Sequence, residues 1–158
     1  MSVVRVSLKR VGPCVFDASD EQGNRVRIAG SAELAAQILE RVPDPSVFTE
    51  TPEVPSTGPG FRPMALFLVS LAGCSAMDLA LILARQRQDV RALTIEVEGV
   101  RAEAVPAVYE RITLRFIAEG TVNPDALTRA AELAVTKYCS VASMLKPEVT
   151  LVIETKPR

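Results

Sequence analysis

The stretch PMALFLVSLAGCSAMDLALILARQR, which runs from Pro63 to Arg87, decides how the rest of this chain is organised. Apolar side chains occur on nearly every side of the helix that this stretch predicts. Pro63 suits the first helical position, because the amide hydrogen that proline lacks would be unpaired there. Arg85 and Arg87 come at the other end, where a cation interacts favourably with the negative pole of the helix dipole. A helix that is apolar all round is either buried in a protein core or spans a bilayer.

A membrane span is the first alternative to consider, because the apolar run from Met64 to Ala84 is about 20 residues long. Asp78 lies well inside this run and would be costly in lipid. Gly73 and the neighbouring alanines favour close packing against another helix. The rest of the chain supplies amphipathic elements that can cover this one. We therefore predict a long buried central helix and no membrane partner.

The composition of the chain excludes several classes of partner. Apolar residues make up 48% of the 158 residues, enough for one core of Leu, Val, Ile and Ala, so we predict a single domain over residues 1–158. The net charge of −1 provides no basic field, and nucleic acid is therefore not an expected partner. The N-terminal residues alternate like a strand and lack the continuous apolar segment of a signal peptide, which predicts a cytoplasmic protein.

The complete absence of histidine restricts the possible chemistry. It removes Ser–His and Cys–His pairs and most zinc or haem sites, so neither a metal nor a cofactor is expected. The three cysteines, Cys14, Cys74 and Cys139, are too far apart in sequence for a CxxC metal site. From the residues alone, Cys74 and Cys139 are either inert core residues or a redox pair, and Cys14 is a small buried hydrophobe.

The periodicity of the N-terminal half predicts a group of strands followed by a helix. An antiparallel meander of three strands is predicted at residues 2–10, 14–18 and 25–29. Ser31 is a typical N-cap and predicts a short amphipathic helix that ends near Arg41. Five prolines between residues 42 and 62 predict a long surface loop, inserted before the central helix.

The C-terminal half returns to strands and then to helices, which makes the predicted class α+β. A second antiparallel β-pair is predicted at residues 93–104 and 109–118. It is followed by a helix at 123–138, a shorter helix at 141–145 and a last strand at 149–153. Asn123 as the cap, Pro124 in the first turn and Asp125 near the positive pole make a strong helix start.

Five short motifs follow one another from the central helix to the last strand. They are Ser70-Leu-Ala-Gly-Cys74-Ser-Ala-Met-Asp78, Arg87-Gln-Asp-Val90, Arg101-Ala-Glu103, Pro106 and Lys137-Tyr-Cys139-Ser-Val141. In this order the motifs resemble the OsmC/Ohr family of small thiol-dependent proteins, over residues 63–153. The resemblance implies an OsmC-like fold and an intertwined homodimer, in which sheets from both chains wrap the long central helices.

The resemblance also implies a cysteine-based peroxidase that acts on organic hydroperoxides. By position, Cys74 matches the peroxide-attacking cysteine of the family and Cys139 matches the resolving cysteine. The Cys74 thiolate would attack the distal peroxide oxygen, and the resulting sulfenic acid would be captured as a disulfide. An external dithiol, in related enzymes often a lipoyl group, would reopen that disulfide. The expected partners are therefore a second copy of the chain, a hydroperoxide and a dithiol.

Two positions depart from the family pattern. Active members carry a Glu just before the cysteine helix, where Met64 and Ala65 stand here, and an Arg from the N-terminal meander that holds the thiolate. Cys14 aligns near that arginine, and Arg10 is the nearest substitute, which makes Arg10 the third predicted catalytic residue. Charged loop residues are the alternatives: Glu50, Glu53 and Arg62. A non-catalytic protein that binds an apolar small molecule or acyl group, and a redox sensor, stay open as other functions.

Overall fold

The computed structural model describes residues 5–40, 60–146 and 148–156, and the chain divides into two units, Met1–Leu66 and Phe67–Arg158. In chain order the elements are β1 (Val6–Gly12), β2 (Val15–Asp20), β3 (Arg25–Ala29), α1 (Ala32–Leu39), α2 (Pro63–Arg85), β4 (Asp89–Arg101), β5 (Tyr109–Thr121), α3 (Pro124–Leu133), a π-helical turn (Ala134–Tyr138), α4 (Ser140–Ser143) and β6 (Glu148–Lys156). The predicted loop at 42–62 lies outside the described residues, except for residues 60–62. The predicted α+β class is confirmed, and a single domain over 1–158 stays a prediction.

The first unit contains the predicted antiparallel meander, with the strand order β1-β2-β3. Strand β3 has the predicted bounds, whereas β1 continues past its predicted end to Gly12, with an irregularity in its pairing just before that residue. Asp17 and Arg27 lie opposite one another on β2 and β3 and form two hydrogen bonds, of 2.6 and 2.8 Å. Helix α1 begins as predicted, because Ser31 Oγ accepts the N–H of Leu34 at 3.1 Å.

The second unit contains a three-stranded sheet in the order β4-β5-β6. Strands β4 and β5 form the predicted antiparallel pair, although β4 both begins and ends earlier than the predicted range 93–104. Strand β6 pairs with β5 in the parallel direction, which the helical connection between the two strands allows. Gly120 has a φ of +129°, and a Cβ at this position would overlap the carbonyl oxygen of Asp89. Only glycine fits where the two long strands meet at this irregular end.

The core of the second unit combines residues from α2, β5 and α3. Its largest members are almost completely buried and are Leu71, Leu79, Leu83, Ile112, Leu114, Phe116 and Leu127. Alanines of α3 and of the π-helical turn, among them Ala130 and Ala134, fill the remaining space without exposing any side-chain surface. The sequence predicted this aliphatic type of core.

Helix α2 is buried along one stripe rather than all round. The buried residues follow one another at intervals of four and are Leu71, Ser75, Leu79 and Leu83. On the opposite side Val69, Met77 and Leu81 are 47%, 75% and 49% exposed. Gly73 lies between them, and a Cβ added there would meet nothing within 4 Å. Within the part of one chain that the structure describes, the prediction of a buried central helix therefore holds for one face only, because the core of the second unit covers a single side.

Helix α2 is also long and apolar enough to cross a membrane by length and composition, with a mean hydropathy of 2.1. The core helix of a soluble protein passes the same test, since both kinds of helix are apolar on all sides. Asp78, inside the helix, is partly buried.

Helix α2 ends in a Schellman motif. The N–H of Gln88 donates to the carbonyl of Leu83 at 3.1 Å, and the N–H of Arg87 donates to the carbonyl of Ala84 at 3.0 Å. Arg87 has a φ of 54°, a left-handed conformation that glycine usually supplies at this position. The sequence predicted that Arg87 would interact with the helix dipole, and the structure shows that its backbone also reverses the chain into β4.

Candidate active site

Cys74 lies near the middle of α2 and is partly exposed. It comes one residue before Ser75 of the buried stripe, so its side chain leaves the helix about 100° round the axis from that residue. The thiol is therefore at the edge of the buried stripe. A cysteine in this position has one side directed to the core and one side open to a small reactant.

Cys139 lies where the C-terminal helix stops. Helix α3 continues into the π-helical turn, and the N–H of Cys139 closes that turn on the carbonyl of Ala134 at 2.8 Å. Turns of this kind insert a residue into a helix and recur at functional sites. Cys139 then acts as the N-cap of α4, because its Sγ accepts the N–H of Ala142 at 3.3 Å. The side chain of Cys139 is completely buried.

The structure brings the thiols of Cys74 and Cys139 together, and neither is oxidised. Burial raises the pKa of Cys139, and the neighbouring Cys74 sulfur raises it further, because it accepts a hydrogen bond from the Cys139 thiol and would repel a second negative charge. The hydroxyl of Ser75 and the N–H of Ala142 act in the opposite direction and lower the pKa of Cys139. Burial and the neighbouring sulfur together make Cys139 harder to deprotonate than an ordinary cysteine, because they hold its pKa above the usual value.

Ser75 is a residue of this site that the sequence analysis did not select. It is completely buried, and its Oγ makes no hydrogen bond of regular geometry with any described residue. Its hydroxyl nevertheless lies close enough to the Cys139 sulfur to lower the pKa of that thiol. A signal was present in the sequence, since Ser75 occupies a core position four residues from both Leu71 and Leu79.

The cation predicted to hold the Cys74 thiolate is not located by the structure. Arg10 lies in β1, but its side chain is not among those that the structure describes, so its catalytic role stays a prediction. The loop residues Glu50 and Glu53 also lie outside the described residues. Arg62 donates a hydrogen bond from Nη1 to the carbonyl of Ala29 at 3.3 Å, within the first unit.

Cys14 belongs to the first unit and lies in a tightly packed position. Its side chain is buried, and its S–H donates to the carbonyl of Ser31 at 3.6 Å. A Cβ at Gly30 would lie only 2.7 Å from the Cys14 sulfur, so the space around this thiol is filled. Within residues 5–40, 60–146 and 148–156, no group of three or more Cys, Asp or Glu side chains is arranged to hold a metal.

Comparison with known proteins reveals the family to which this arrangement belongs. The family model described as OsmC-like protein matches residues 56–154, a range that includes Cys74, Ser75 and Cys139. The chain belongs to the OsmC-like family. This OsmC-like protein is 40% identical over 90 residues to Protein YhfA of Escherichia coli strain K12, across 56% of this chain and 67% of that protein. The predicted family is confirmed.

Solved structures of other proteins share the OsmC-like fold along almost the whole chain. A hypothetical protein from Aquifex aeolicus VF5 has a TM-score of 0.74 and 29% identity, over 100% of this chain and 98% of that one. An OsmC-like protein from Vibrio cholerae has a TM-score of 0.71 and 19% identity, over 97% and 99% of the two chains. The organic hydroperoxide resistance protein OhrB of Bacillus subtilis has a TM-score of 0.58 and 14% identity, over 98% of each chain. At their identities, the last two show the fold alone.

Proposed function

We propose that this OsmC-like protein is a cysteine-based peroxidase that reduces organic hydroperoxides with an external dithiol. The observation that carries the proposal is the contact between the free thiols of Cys74 and Cys139. Family membership supports it, because OsmC and Ohr proteins are in general peroxidases or osmotic-stress proteins. The substrate class and the reductant come from the family resemblance.

The exposure of each sulfur suits the step that we assign to it. Cys74 is partly exposed, so a hydroperoxide can reach its thiolate, which attacks the distal oxygen while the O–O bond breaks and the alcohol leaves. Cys139 is buried beside it, and its raised pKa disfavours the thiolate, so this sulfur is protected from the peroxide until it gives up its proton and attacks the sulfenic sulfur of Cys74. That attack forms the Cys74–Cys139 disulfide and releases water. Two thiols of the reductant then restore both cysteines.

We further propose that the protein works as a homodimer in the cytoplasm. OsmC and Ohr proteins are in general dimeric, and the exposed apolar side of α2 is a surface that a second copy would cover. The cytoplasmic assignment accords with the proposed reaction, because a reducing compartment supplies the dithiol that reopens the disulfide.

Mass spectrometry after addition of one equivalent of cumene hydroperoxide tests the proposed function. We expect a disulfide between Cys74 and Cys139 within one chain, and its reopening by dithiothreitol. Cys139→Ser should still be oxidised but should leave Cys74 as a sulfenic acid, which excess peroxide converts to sulfinic acid. Cys74→Ser should not react, which makes it the matched control. Absence of both the disulfide and any oxygen on Cys74 in the wild-type protein would contradict the proposal.

A second candidate function is the binding of an apolar small molecule or acyl group without turnover. One observation favours it: the first turn of α2, which includes Met64 and Ala65, holds no acidic residue where active family members carry a Glu. For this function the thiols need no reactivity toward peroxide. The same experiment therefore separates the two functions, because a binding protein would leave cumene hydroperoxide unconsumed.

A further inference from the structure

The hydroxyl of Ser75 occupies a position where a polar group is unfavourable. It belongs to the buried stripe of α2, whose other three members are leucines, and no described residue gives its Oγ a hydrogen bond of regular geometry. Buried polar atoms in native proteins are nearly always paired, and an unpaired one reduces stability. A serine in this position is expected to serve the thiols beside it.

The two sulfurs of the candidate site differ in accessibility, and this difference determines the direction of disulfide reduction. Cys139 is completely buried, whereas Cys74 is partly exposed. A thiolate must approach the sulfur that it attacks from solvent, so a reductant can reach only the Cys74 side of a Cys74–Cys139 disulfide. Cys139 is consequently the leaving group and receives the electron pair of the broken S–S bond.

A leaving thiolate in a dry core needs hydrogen-bond donors, because the interior does not solvate its charge. The structure provides one such donor in the N–H of Ala142, which lies 3.3 Å from Cys139 Sγ. The Ser75 hydroxyl lies against the same sulfur and has no regular partner of its own. Both groups lower the pKa of Cys139, the direction expected of donors that stabilise its thiolate.

We propose that Ser75 is a catalytic residue of disulfide reduction, whose hydroxyl donates a hydrogen bond to the Cys139 sulfur as this sulfur leaves the Cys74–Cys139 disulfide. The inference rests on the proposed function and adds to it the roles of the two sulfurs in the reductive half-reaction. One thiolate of the external dithiol bonds to Cys74 Sγ, and the electron pair of the broken bond goes to Cys139, which then takes a proton. The second thiol of the reductant, as its thiolate, displaces the Cys74 thiolate. The dithiol becomes a disulfide, and both cysteines are reduced.

Single-turnover kinetics of Ser75→Ala test this role. The first oxidation of Cys74 by cumene hydroperoxide should keep the wild-type rate, because that step does not charge Cys139. Reopening of the disulfide by excess dithiothreitol should become about ten-fold slower, since a hydrogen bond to the leaving thiolate is lost. Ser70→Ala removes an exposed hydroxyl from the same helix and should change neither rate.

The sign of the effect separates this role from a purely structural one. If Ser75→Ala only loosened the packing around Cys139, the disulfide would become more accessible and reopen faster than in the wild-type protein. The variant should also be no less stable than wild type when reduced, because it removes a buried hydroxyl without a regular partner. An unchanged or faster reopening would overturn the inference.

A second measurement locates the attacked sulfur in the wild-type protein. A monothiol such as 2-mercaptoethanol, followed by alkylation of the released thiol, should place the mixed disulfide on Cys74 and the alkyl group on Cys139. The reverse labelling would overturn the inference while leaving the proposed peroxidase intact. Failure of the proposed function itself would be recognised earlier, because no Cys74–Cys139 disulfide would form with hydroperoxide.

Discussion

At the scale of single residues, Cys139 is held in the candidate site by hydrogen bonds of its N–H, its carbonyl and its sulfur. Its N–H donates to Ala134, its carbonyl accepts both the N–H and the hydroxyl of Ser143, at 3.1 and 3.0 Å, and its sulfur accepts the N–H of Ala142. A residue bonded through backbone and side chain alike is held in one orientation. The resolving thiol that we propose is thus positioned before any peroxide arrives, which shortens the search for the sulfenic acid.

The raised pKa of Cys139 predicts how stability changes with pH. An unfolded chain loses this thiol proton near pH 8.5, whereas the folded protein keeps it to higher pH. The stabilising contribution is therefore fully present below about pH 8.5 and is lost as the pH rises through the pKa of the folded state. Urea unfolding of the reduced protein should show a free energy of unfolding that decreases in this range. Cys139→Ala should weaken that decrease, and an unchanged slope in the variant would contradict the assignment.

At the scale of elements, the ends of α2 show how local backbone chemistry directs the chain toward the sheet. Pro63 opens the helix as the sequence predicts, and the Schellman motif closes it. The side-chain oxygen of Gln88, just beyond the motif, accepts the N–H of Asn123 at 2.9 Å, which ties the exit of α2 to the start of α3. This hydrogen bond therefore links the end of the helix that carries Cys74 to the start of the helix that leads to Cys139.

Replacing Arg87 by glycine should stabilise the protein. A left-handed φ of 54° destabilises a residue with a Cβ by about 1–2 kcal/mol. Glycine removes this steric cost, but part of the gain is offset because glycine loses more chain entropy on folding. We expect a gain of roughly 0.5–1 kcal/mol in the free energy of unfolding, measured by urea denaturation. Arg85→Gly is the control, because Arg85 is the last residue of α2 and lacks the left-handed φ of Arg87, so glycine should cost up to about 1 kcal/mol there. Destabilisation by both substitutions would show that the Arg87 side chain contributes more than its backbone conformation costs.

At the scale of the whole molecule, the question is what covers the exposed side of α2. Val69, Met77 and Leu81 lie on one side of the helix, with Gly73 between them in open space. The buried stripe begins two residues further on, which places it about 200° round the helix axis. Two opposite apolar faces on one helix indicate two layers of packing. The described residues provide one of them, and we propose that a second copy provides the other.

Sedimentation equilibrium should therefore give twice the chain mass of 17.0 kDa for the wild-type protein. Met77→Lys should yield a soluble monomer, because the residue is 75% exposed in one chain but would bury an unpaired ammonium in the dimer. Met144→Lys is the control, since Met144 is 84% exposed and lies outside α2, and it should leave the mass unchanged. A monomeric wild-type protein, or a dimeric Met77→Lys variant, would contradict the proposed dimer.

The sequence by itself determined the features that depend on neighbours only a few residues away. Ser31 and Asn123 were recognised as N-caps, and both side chains accept N–H groups of their own first turns. The bounds of β3 and the start of β5 at Tyr109 followed from alternation. The five motifs that carried the family resemblance, including the one around Cys74, were recognised for the same reason, because each of them consists of contiguous residues.

Only the tertiary structure decided the features that depend on distant partners. The parallel pairing of β6 and the π-helical turn before Cys139 follow from no local pattern. The pairing of Cys139 with Cys74 was implied by the family resemblance, and the packing of the two helices provides the contact. The importance of Ser75 followed in the same way, since burial and a neighbouring sulfur distinguish it from other serines. A hydrophobic pattern predicts that a face of an element is buried, but it does not predict which other element covers that face. That choice depends on packing over the whole chain, and for the outer face of α2 we expect it to depend on a second chain as well.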